Sequence, residues 1–439
     1  MHVARLRIVG VRGFYGDRSV DLDLRRPDGS LAGWTVLAGR NGSGKSTILQ
    51  ALALALAGPR SLAFVPSLAD WISRGITHAE IKADLKISQS DYFPQLEFEP
   101  PVAWMQFVRP KAPEGADGYE PDFEGHGVSS FTSTPASGQP YGWFYAGYGP
   151  FRHLGNATPR RVNRSRTAKL AQQVSSLFDE TVPLADAVDW LVEQHLYQLE
   201  QRQGADRLLD VMMTLLSDGL LPDGFEVRRV DSDGLWVRNR NSEFPLREMS
   251  DGYRAVTALV VDIVRQMVAA YPNLALTELG GIPTLPYPGV ILIDEVDAHL
   301  HVSWQQKIGT WLKMHFPKIQ FIVTTHSPYI CQSADPGGLI LLPSPGENRP
   351  PQIVDQDLYQ RVVYGSGDDA ILSELFGVET PYSPTAERMR QHLGDLEIKV
   401  LDGTASVAEK EEYRALSETL TSSLTARADE VAARLRPDE

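Results

Sequence analysis

The sequence predicts an α/β protein built on a P-loop core, and three stretches carry that prediction. A short apolar run over residues 34–38 leads into Gly39-Arg40-Asn41-Gly42-Ser43-Gly44-Lys45-Ser46-Thr47, a complete G-x-x-x-x-G-K-[ST] match. A helical stretch over 46–57 follows and is ended by Gly58-Pro59. Two further apolar runs, 290–293 and 320–324, are bounded by turns or helices, the pattern of buried parallel strands. With 439 residues, 42% hydrophobic and 22% charged, the chain suits two or three domains and a sizeable core.

The remaining elements read in order as follows. Residues 4–11 alternate Ala4, Leu6 and Ile8 with Arg5 and Arg7, a strand with one buried face, and 20–24 alternates in the same way. Pro27-Asp28-Gly29-Ser30 is a turn. Residues 81–87 alternate like an antiparallel strand, so the N-terminal part predicts an antiparallel subdomain. Residues 110–139, rich in Pro, Gly, Ser and Asp, predict a long surface loop. Helical spacing of Val188, Leu191, Leu196, Leu199, Leu208 and Met212 predicts helix over 184–216. Two strands flank the Asp231-Ser232-Asp233-Gly234 turn within 227–237, and 253–270 reads as a long amphipathic helix. Beyond 351 the pattern is helical and charged, with Leu416, Leu420, Leu424, Val431 and Leu435 at helical spacing. The expected organisation is an N-terminal lobe (1–155), a basic and helical insertion (156–225), a C-terminal lobe (226–350) and a helical tail (351–439).

Forty-two Lys and Arg against 56 Asp and Glu leave a net charge of −14, which argues against non-specific coating of nucleic acid. The single cysteine, Cys331, excludes an internal disulfide and any Cys-x-x-Cys metal site. No run approaches the roughly 20 apolar residues of a membrane span, and no leader pattern opens the chain. A cytoplasmic location is therefore expected. Arg152, Arg160, Arg161, Arg164, Arg166 and Lys169 cluster without an intervening acid. This cluster suits a nucleic-acid contact through Arg160, Arg161, Arg164 and Arg166, a solvated loop, or an intersubunit contact.

The motif residues imply phosphate chemistry. Gly39, Asn41, Gly42, Ser43 and Gly44 turn backbone N–H groups toward phosphates, and the following helix start, with Thr47 in its first turn, adds positive dipole. Lys45 is placed to reach the β and γ phosphates of ATP, and Ser46 to hold Mg²⁺. Asp294 and Glu295 end an apolar strand, which suits Asp294 to Mg²⁺ and Glu295 to the role of general base. His326, in Thr324-Thr325-His326-Ser327-Pro328, closes the next strand and suits the γ-phosphate or the attacking water. Ser250 and Gly252, in Met249-Ser250-Asp251-Gly252-Tyr253-Arg254, make a second anion site at a helix start, and Ser250 suits an N-cap as well. Phe14 or Tyr15 suits either adenine stacking or core packing. Asp355-Gln356-Asp357 reads as a solvated loop rather than a metal site.

The order P-loop, Ser-Asp-Gly-Tyr, Asp-Glu, Thr-His-Ser-Pro resembles the ATP-binding-cassette ATPases of the non-transporter branch, which holds the SMC, RecF and OLD-type ATPases. The run Asp294-Glu295-Val296-Asp297-Ala298-His299-Leu300-His301 with Thr325-His326-Ser327-Pro328 resembles the ATPases of anti-phage defence systems. Tyr148-Gly149-Pro150-Phe151-Arg152 fits a Tyr-Gly-x-x-Arg element of that group, and Gly365–Phe376 is similar to the tail of Septu-type and retron-associated members. This resemblance implies a homodimer of heads sandwiching two ATP molecules, with Lys45 of one protomer and Ser250 and Gly252 of the other on one γ-phosphate. It also implies a separately encoded effector such as an HNH nuclease. The chain departs from the pattern in lacking an obvious Q-loop glutamine, for which Gln106 or the Tyr148–Arg152 element stands in, and in Val302 after His301. The interval from Lys45 to Ser250 is too short for a long coiled-coil arm. Two other readings are a RecF-like or SMC-like DNA-repair ATPase, and a non-hydrolysing scaffold held together by ATP, which Glu295 argues against.

Overall fold

The structure is a computed structural model that describes residues 1–65, 67–88, 91, 102–109, 121–127, 142–152, 173–180, 182, 184, 186–378, 380 and 382–420. It divides into two compact units, Met1–Phe376 and Gly377–Glu439.

The first unit opens with β1 (His2–Val9), β2 (Val20–Asp23) and β3 (Trp34–Ala38), then α1 (Lys45–Ala57). There follow β4 (His78–Lys86), β5 (Val102–Val108), β6 (Asp122–His126) and β7 (Phe144–Tyr148). The predicted helical insertion is a pair, α2 (Asp186–Leu199) and α3 (Ala205–Ser217). Gln201 at φ +57° and Gly204 at φ +86° break what the spacing predicted as one stretch. Next come β8 (Phe225–Asp231), β9 (Gly234–Asn239), β10 (Ser242–Pro245) and the long α4 (Asp251–Ala270). A small hairpin, β11 (Thr277–Leu279) and β12 (Ile282–Thr284), precedes β13 (Gly289–Ile293). Then α5 (Val302–Gln305), α6 (Ile308–His315), β14 (Ile319–Thr324), α7 (Pro328–Cys331), β15 (Leu339–Leu341) and β16 (Gln352–Ile353) complete the sheets. The unit closes with α8 (Gln356–Tyr364) and α9 (Gly367–Ile371), so these two helices group with the head and the division falls at 376/377, later than 351.

Two sheets position the site. A five-stranded antiparallel sheet runs β2-β1-β4-β5-β6, and a six-stranded sheet runs β16-β15-β3-β14-β13-β7. In the second, β15, β3, β14, β13 and β7 are all parallel and only the edge strand β16 is antiparallel. β6 lies inside the segment predicted as loop: Asp122–His126 pairs with β5, which supplies the backbone partners that a Gly- and Pro-rich sequence does not advertise.

Each parallel strand alternates its side chains between two cores. Trp34, Val36, Ile291, Ile293, Phe321 and Val323 face the layer of α2, α3, α4 and α6. Leu37, Val290, Leu292 and Ile322 face α1 and the antiparallel sheet. Burial on both faces is why these strands read as unbroken apolar runs. From Ala51 to Ala57 helix α1 is apolar all round and buries every residue, because it is covered on both sides.

The second unit holds α10 (Pro384–Leu401) and α11 (Val407–Thr419). Ser383 caps α10 through Ala386 N–H, and Ser406 with Glu409 forms a capping box on α11. Lys399–Glu409 at 2.7 Å and His392–Glu412 at 3.0 Å link the two helices. Leu424, Val431 and Leu435 lie outside the described residues.

Candidate functional site

The parallel sheet gathers the motif residues along the carboxyl ends of adjacent strands. β3 delivers the P-loop, its neighbour β14 delivers Thr324 to His326, and the next strand β13 delivers Asp294 and Glu295. The strand inserted between the P-loop strand and the acidic strand thus carries the Thr-His motif.

The glycines of the P-loop are demanded by geometry. Gly39, Gly42 and Gly44 sit at φ +155°, +76° and +97°, in the region that favours glycine. A Cβ on Gly44 would lie 2.5 Å from the Phe14 ring, and one on Gly39 would lie 2.9 Å from Ser43 Oγ. Lys45 is buried and its Nζ donates to the Gly39 carbonyl at 2.7 Å and the Arg40 carbonyl at 3.2 Å. Burial pulls its pKa down, while Asp294, Glu295 and Asp297 pull it back up. Ser46 and Thr47 stand in the first turn of α1, beside it.

The acidic strand end is held from two sides. Asp294 is 3% exposed, and Thr324 Oγ1 donates to its Oδ1 at 2.5 Å. The same hydroxyl accepts the Glu295 backbone N–H at 2.7 Å, and the Thr324 carbonyl accepts the Val296 N–H at 3.0 Å. Thr325 Oγ1 and the His326 N–H both donate to Asp297 Oδ1, at 2.5 and 3.3 Å. From the other side, the Tyr148 carbonyl accepts the Asp294 N–H at 2.8 Å, and Arg152 donates to the Asp294 and Glu295 carbonyls at 3.0 and 2.8 Å. Glu295 itself adopts φ +45°, unusual for a residue other than glycine. Its side chain is half-buried and His326 is exposed at the same edge.

Ser250 stands at the N-cap of α4, exposed, with no side-chain cap hydrogen bond. The helix start is therefore capped by extended backbone alone, and the hydroxyl is not committed to the helix. Gly252 packs against the loop after Glu295: a Cβ there would meet the His299 carbonyl at 2.4 Å. Helix α4 is also tied to the acidic strand's neighbour. Tyr148 Oη donates to Asp262 Oδ2 at 3.0 Å, Gln266 Nε2 donates to Tyr148 Oη at 3.2 Å, and Arg265 pairs with Asp262.

Several sequence expectations resolve differently. Gln106 lies on β5, where it hydrogen-bonds His78 at 3.2 Å in the antiparallel sheet, and not on the parallel sheet that carries the motifs. The Tyr148–Arg152 element does stand beside the site, yet the Arg152 guanidinium points into the Asp294–Ala298 loop. Phe14 is 1% exposed, a core residue against Gly44, whereas Tyr15 is exposed. Asp355 is the N-cap of α8, accepting from Leu358 N–H, which explains Asp355-Gln356-Asp357 as helix capping. His301 likewise caps α5. Arg160, Arg161, Arg164, Arg166 and Lys169 lie outside the described residues. The roles of Thr324, Asp297 and Asp262 were not read from sequence. A Thr one strand away from an acidic strand end is the available signal for the first, and only the strand order makes it meaningful. Among the described residues no helix is long and apolar enough to cross a membrane.

Residues 122–332 match an AAA domain model named for the AbiEii toxin of a Type IV TA system, and residues 5–105 match a second AAA domain model. A Septu protein PtuA of Bacillus mycoides is 27% identical over 73% of this chain and 38% of its own length. Another, from Bacillus thuringiensis, is 31% identical over 38% of this chain and 41% of its own. The Retron Ec83 probable ATPase of Escherichia coli is 40% identical over 25% of this chain and 19% of its own. The chain thus spans about a fifth to two fifths of the length of these relatives. An Smc head solved with the C-winged helix domain of ScpA covers 77% of this chain and 93% of its own at 16% identity, with a TM-score of 0.45.

Proposed function

We propose that this chain, which matches two AAA domain models and is similar to Septu and retron ATPases, binds and hydrolyses ATP and acts as the sensor and scaffold of an anti-phage defence complex. The observation that carries the hydrolytic reading is the alignment of P-loop, Thr-His and Asp-Glu on three adjacent parallel strand ends.

The residues fit ATP and Mg²⁺. The left-handed glycines let the loop pack where a Cβ would meet Phe14 or Ser43, the Lys45 ammonium is buried against the loop carbonyls, and the buried Asp294 carboxylate acts on it electrostatically. Gly39 to Thr47 would hold the phosphates, and Ser46 with Asp294 the metal; bound together, they supply the scissile phosphoanhydride and the charge neutralisation its cleavage needs. Glu295 takes the proton from the attacking water. Thr324 holds the Asp294 carboxylate and the Glu295 backbone at one hydroxyl, so the base and the metal ligand keep a set separation. His326, with its N–H on Asp297, orients the water or the terminal phosphate. Ser250 and Gly252 face the nucleotide of a second copy, closing a homodimer of heads, and the unit from Gly377 docks an effector such as an HNH nuclease.

The test is ATP hydrolysis and oligomeric state for the wild type and Glu295→Gln, followed by co-purification with the products of neighbouring genes. Support requires wild-type turnover, loss of turnover with an ATP-trapped dimer for Glu295→Gln, and a partner that deletion of 377–439 releases. Retention of DNA by an ATP-dependent dimer without a partner replaces the defence reading with the repair-type one. Absence of turnover in the wild type removes the hydrolytic reading.

A further inference from the structure

Arg152 is 6% exposed, and its guanidinium reaches along one loop. Its Nη1 donates to the Asp294 carbonyl at 3.0 Å and the Gly149 carbonyl at 3.3 Å. Its Nη2 donates to the Glu295 carbonyl at 2.8 Å, with Val296 and Ala298 carbonyls at 3.4 and 3.5 Å. The acceptors are backbone carbonyls on both sides of the left-handed Glu295, and the same loop holds His299 at φ +66°. Non-glycine residues persist there only when the surroundings over-determine them. A planar fork of donors serves several carbonyls at once; an ammonium is a point donor and an amide offers only two N–H groups. Burial lowers the guanidinium pKa to about 10, and Asp297, Asp294 and Glu295 oppose that shift, so the group is charged at neutral pH. The loop therefore sees a cation beneath its carbonyls and its acids.

We propose that Arg152 is a positioning residue that holds Glu295 of the Asp294–Ala298 loop in its left-handed conformation and so aims the Glu295 carboxylate along the sheet edge that carries the P-loop. It acts in the place where a Q-loop glutamine was expected, but through the loop and not on the nucleotide. The inference rests on the reading of Glu295 as general base. Strand β7 and the segment that follows it then support the loop twice, through the Tyr148 carbonyl on Asp294 N–H and through the Arg152 side chain.

The test is steady-state ATP hydrolysis, equilibrium binding of a fluorescent ATP analogue and thermal melting. It uses the full chain as wild type, Arg152→Lys, Arg152→Gln, Glu295→Gln and the Arg152→Lys/Glu295→Gln pair. The expected result for Arg152→Lys is a kcat at least about tenfold lower, with KM and analogue affinity within about threefold of wild type, and no further fall on the Glu295→Gln background. Wild-type kcat in Arg152→Lys, a loss of affinity that accounts for the whole defect, or additive losses in the pair overturn it. If Arg152→Lys does not melt cooperatively, Arg152→Gln is read in the same way; failure of both to fold assigns the side chain a structural role and overturns the proposal. If Glu295→Gln turns over at the wild-type rate, the general-base reading falls. A slow Glu295→Gln beside a fast Arg152→Lys removes this inference alone.

Discussion

Gly44 is the residue where the P-loop meets the core. It sits at φ +97° with the Phe14 ring where a Cβ would go, so Gly44→Ala meets both a disfavoured backbone and a buried aromatic. The expected cost is about 1–3 kcal/mol of stability, seen as a lower melting temperature, together with at least tenfold weaker binding of a fluorescent ATP analogue, roughly 1.4 kcal/mol. Phe14→Leu keeps an apolar side chain against the loop and is expected to bind nucleotide close to wild type, whereas an adenine-stacking role would predict a large loss. Thr324 is the second decisive residue. Thr324→Val preserves shape but removes the hydroxyl that serves Asp294 and the Glu295 N–H. Leaving those buried groups unpaired is expected to lower stability by about 1–3 kcal/mol and to slow turnover more than it weakens nucleotide binding.

At the scale of elements, α4 matters because its two ends do different things. Its start presents Ser250 and packs Gly252 on the His299 carbonyl, while Asp262 and Gln266, three turns on, grip Tyr148. Gly252→Ala inserts a Cβ 2.4 Å from that carbonyl and pushes the helix start off the loop after Glu295. The expected outcome is loss of the ATP-dependent dimer by light scattering, with nucleotide affinity of the single head kept within about threefold. A Gly252→Ala protein that still dimerises with ATP removes this surface from the interface. Asp355 caps α8 and the Ser366–Asp369 capping box starts α9, and burial keeps both on the head: Gln332 Nε2 donates to the Gly365 carbonyl at 3.0 Å, and Ala370 and Leu375 are fully buried.

For the whole molecule, the two compact units predict where truncation is tolerated. Removing 377–439 is expected to leave the cooperative melt and nucleotide affinity of the head within error. Removing 365–439 strips buried Ala370 and Leu375 and is expected to lower the melting temperature by several degrees. Alkaline pH supplies another global test. Burial pushes the Tyr253 and Tyr359 phenols up to about 12, with Asp223 adding to the first and Tyr364 and Asp335 to the second. Their protonated forms favour the folded state, so that contribution is complete below the ordinary tyrosine pKa of about 10 and is lost as pH rises through about 12. Melting temperature should fall across that window, less steeply in Tyr359→Phe. In acid, Arg25 holds Asp23 down at about 2, so its small exposed contribution is present above the usual carboxylate range and lost as pH falls through about 2.

The P-loop, the acidic strand end, the Thr-His strand end and the long helix behind Ser250 are legible in the amino-acid sequence. Those signals are local: glycines where φ is positive, apolar runs where both sheet faces are covered, and 3.6-residue spacing along α4. It also named Tyr148–Arg152 as an element, without saying what the arginine touches. Only the tertiary structure decided strand order, and with it which residues meet. β14 lies between β3 and β13, so Thr324 reaches Asp294 from 30 positions away, and β7 lies beyond β13, so Arg152 reaches Glu295 from 143 positions away. It also places Gln106 beside His78 in the antiparallel sheet and makes Asp355 a helix cap. Local periodicity reports which face of an element is covered. Contacts across a parallel sheet depend on crossovers whose ends are far apart in the chain, and no short window of residues encodes them.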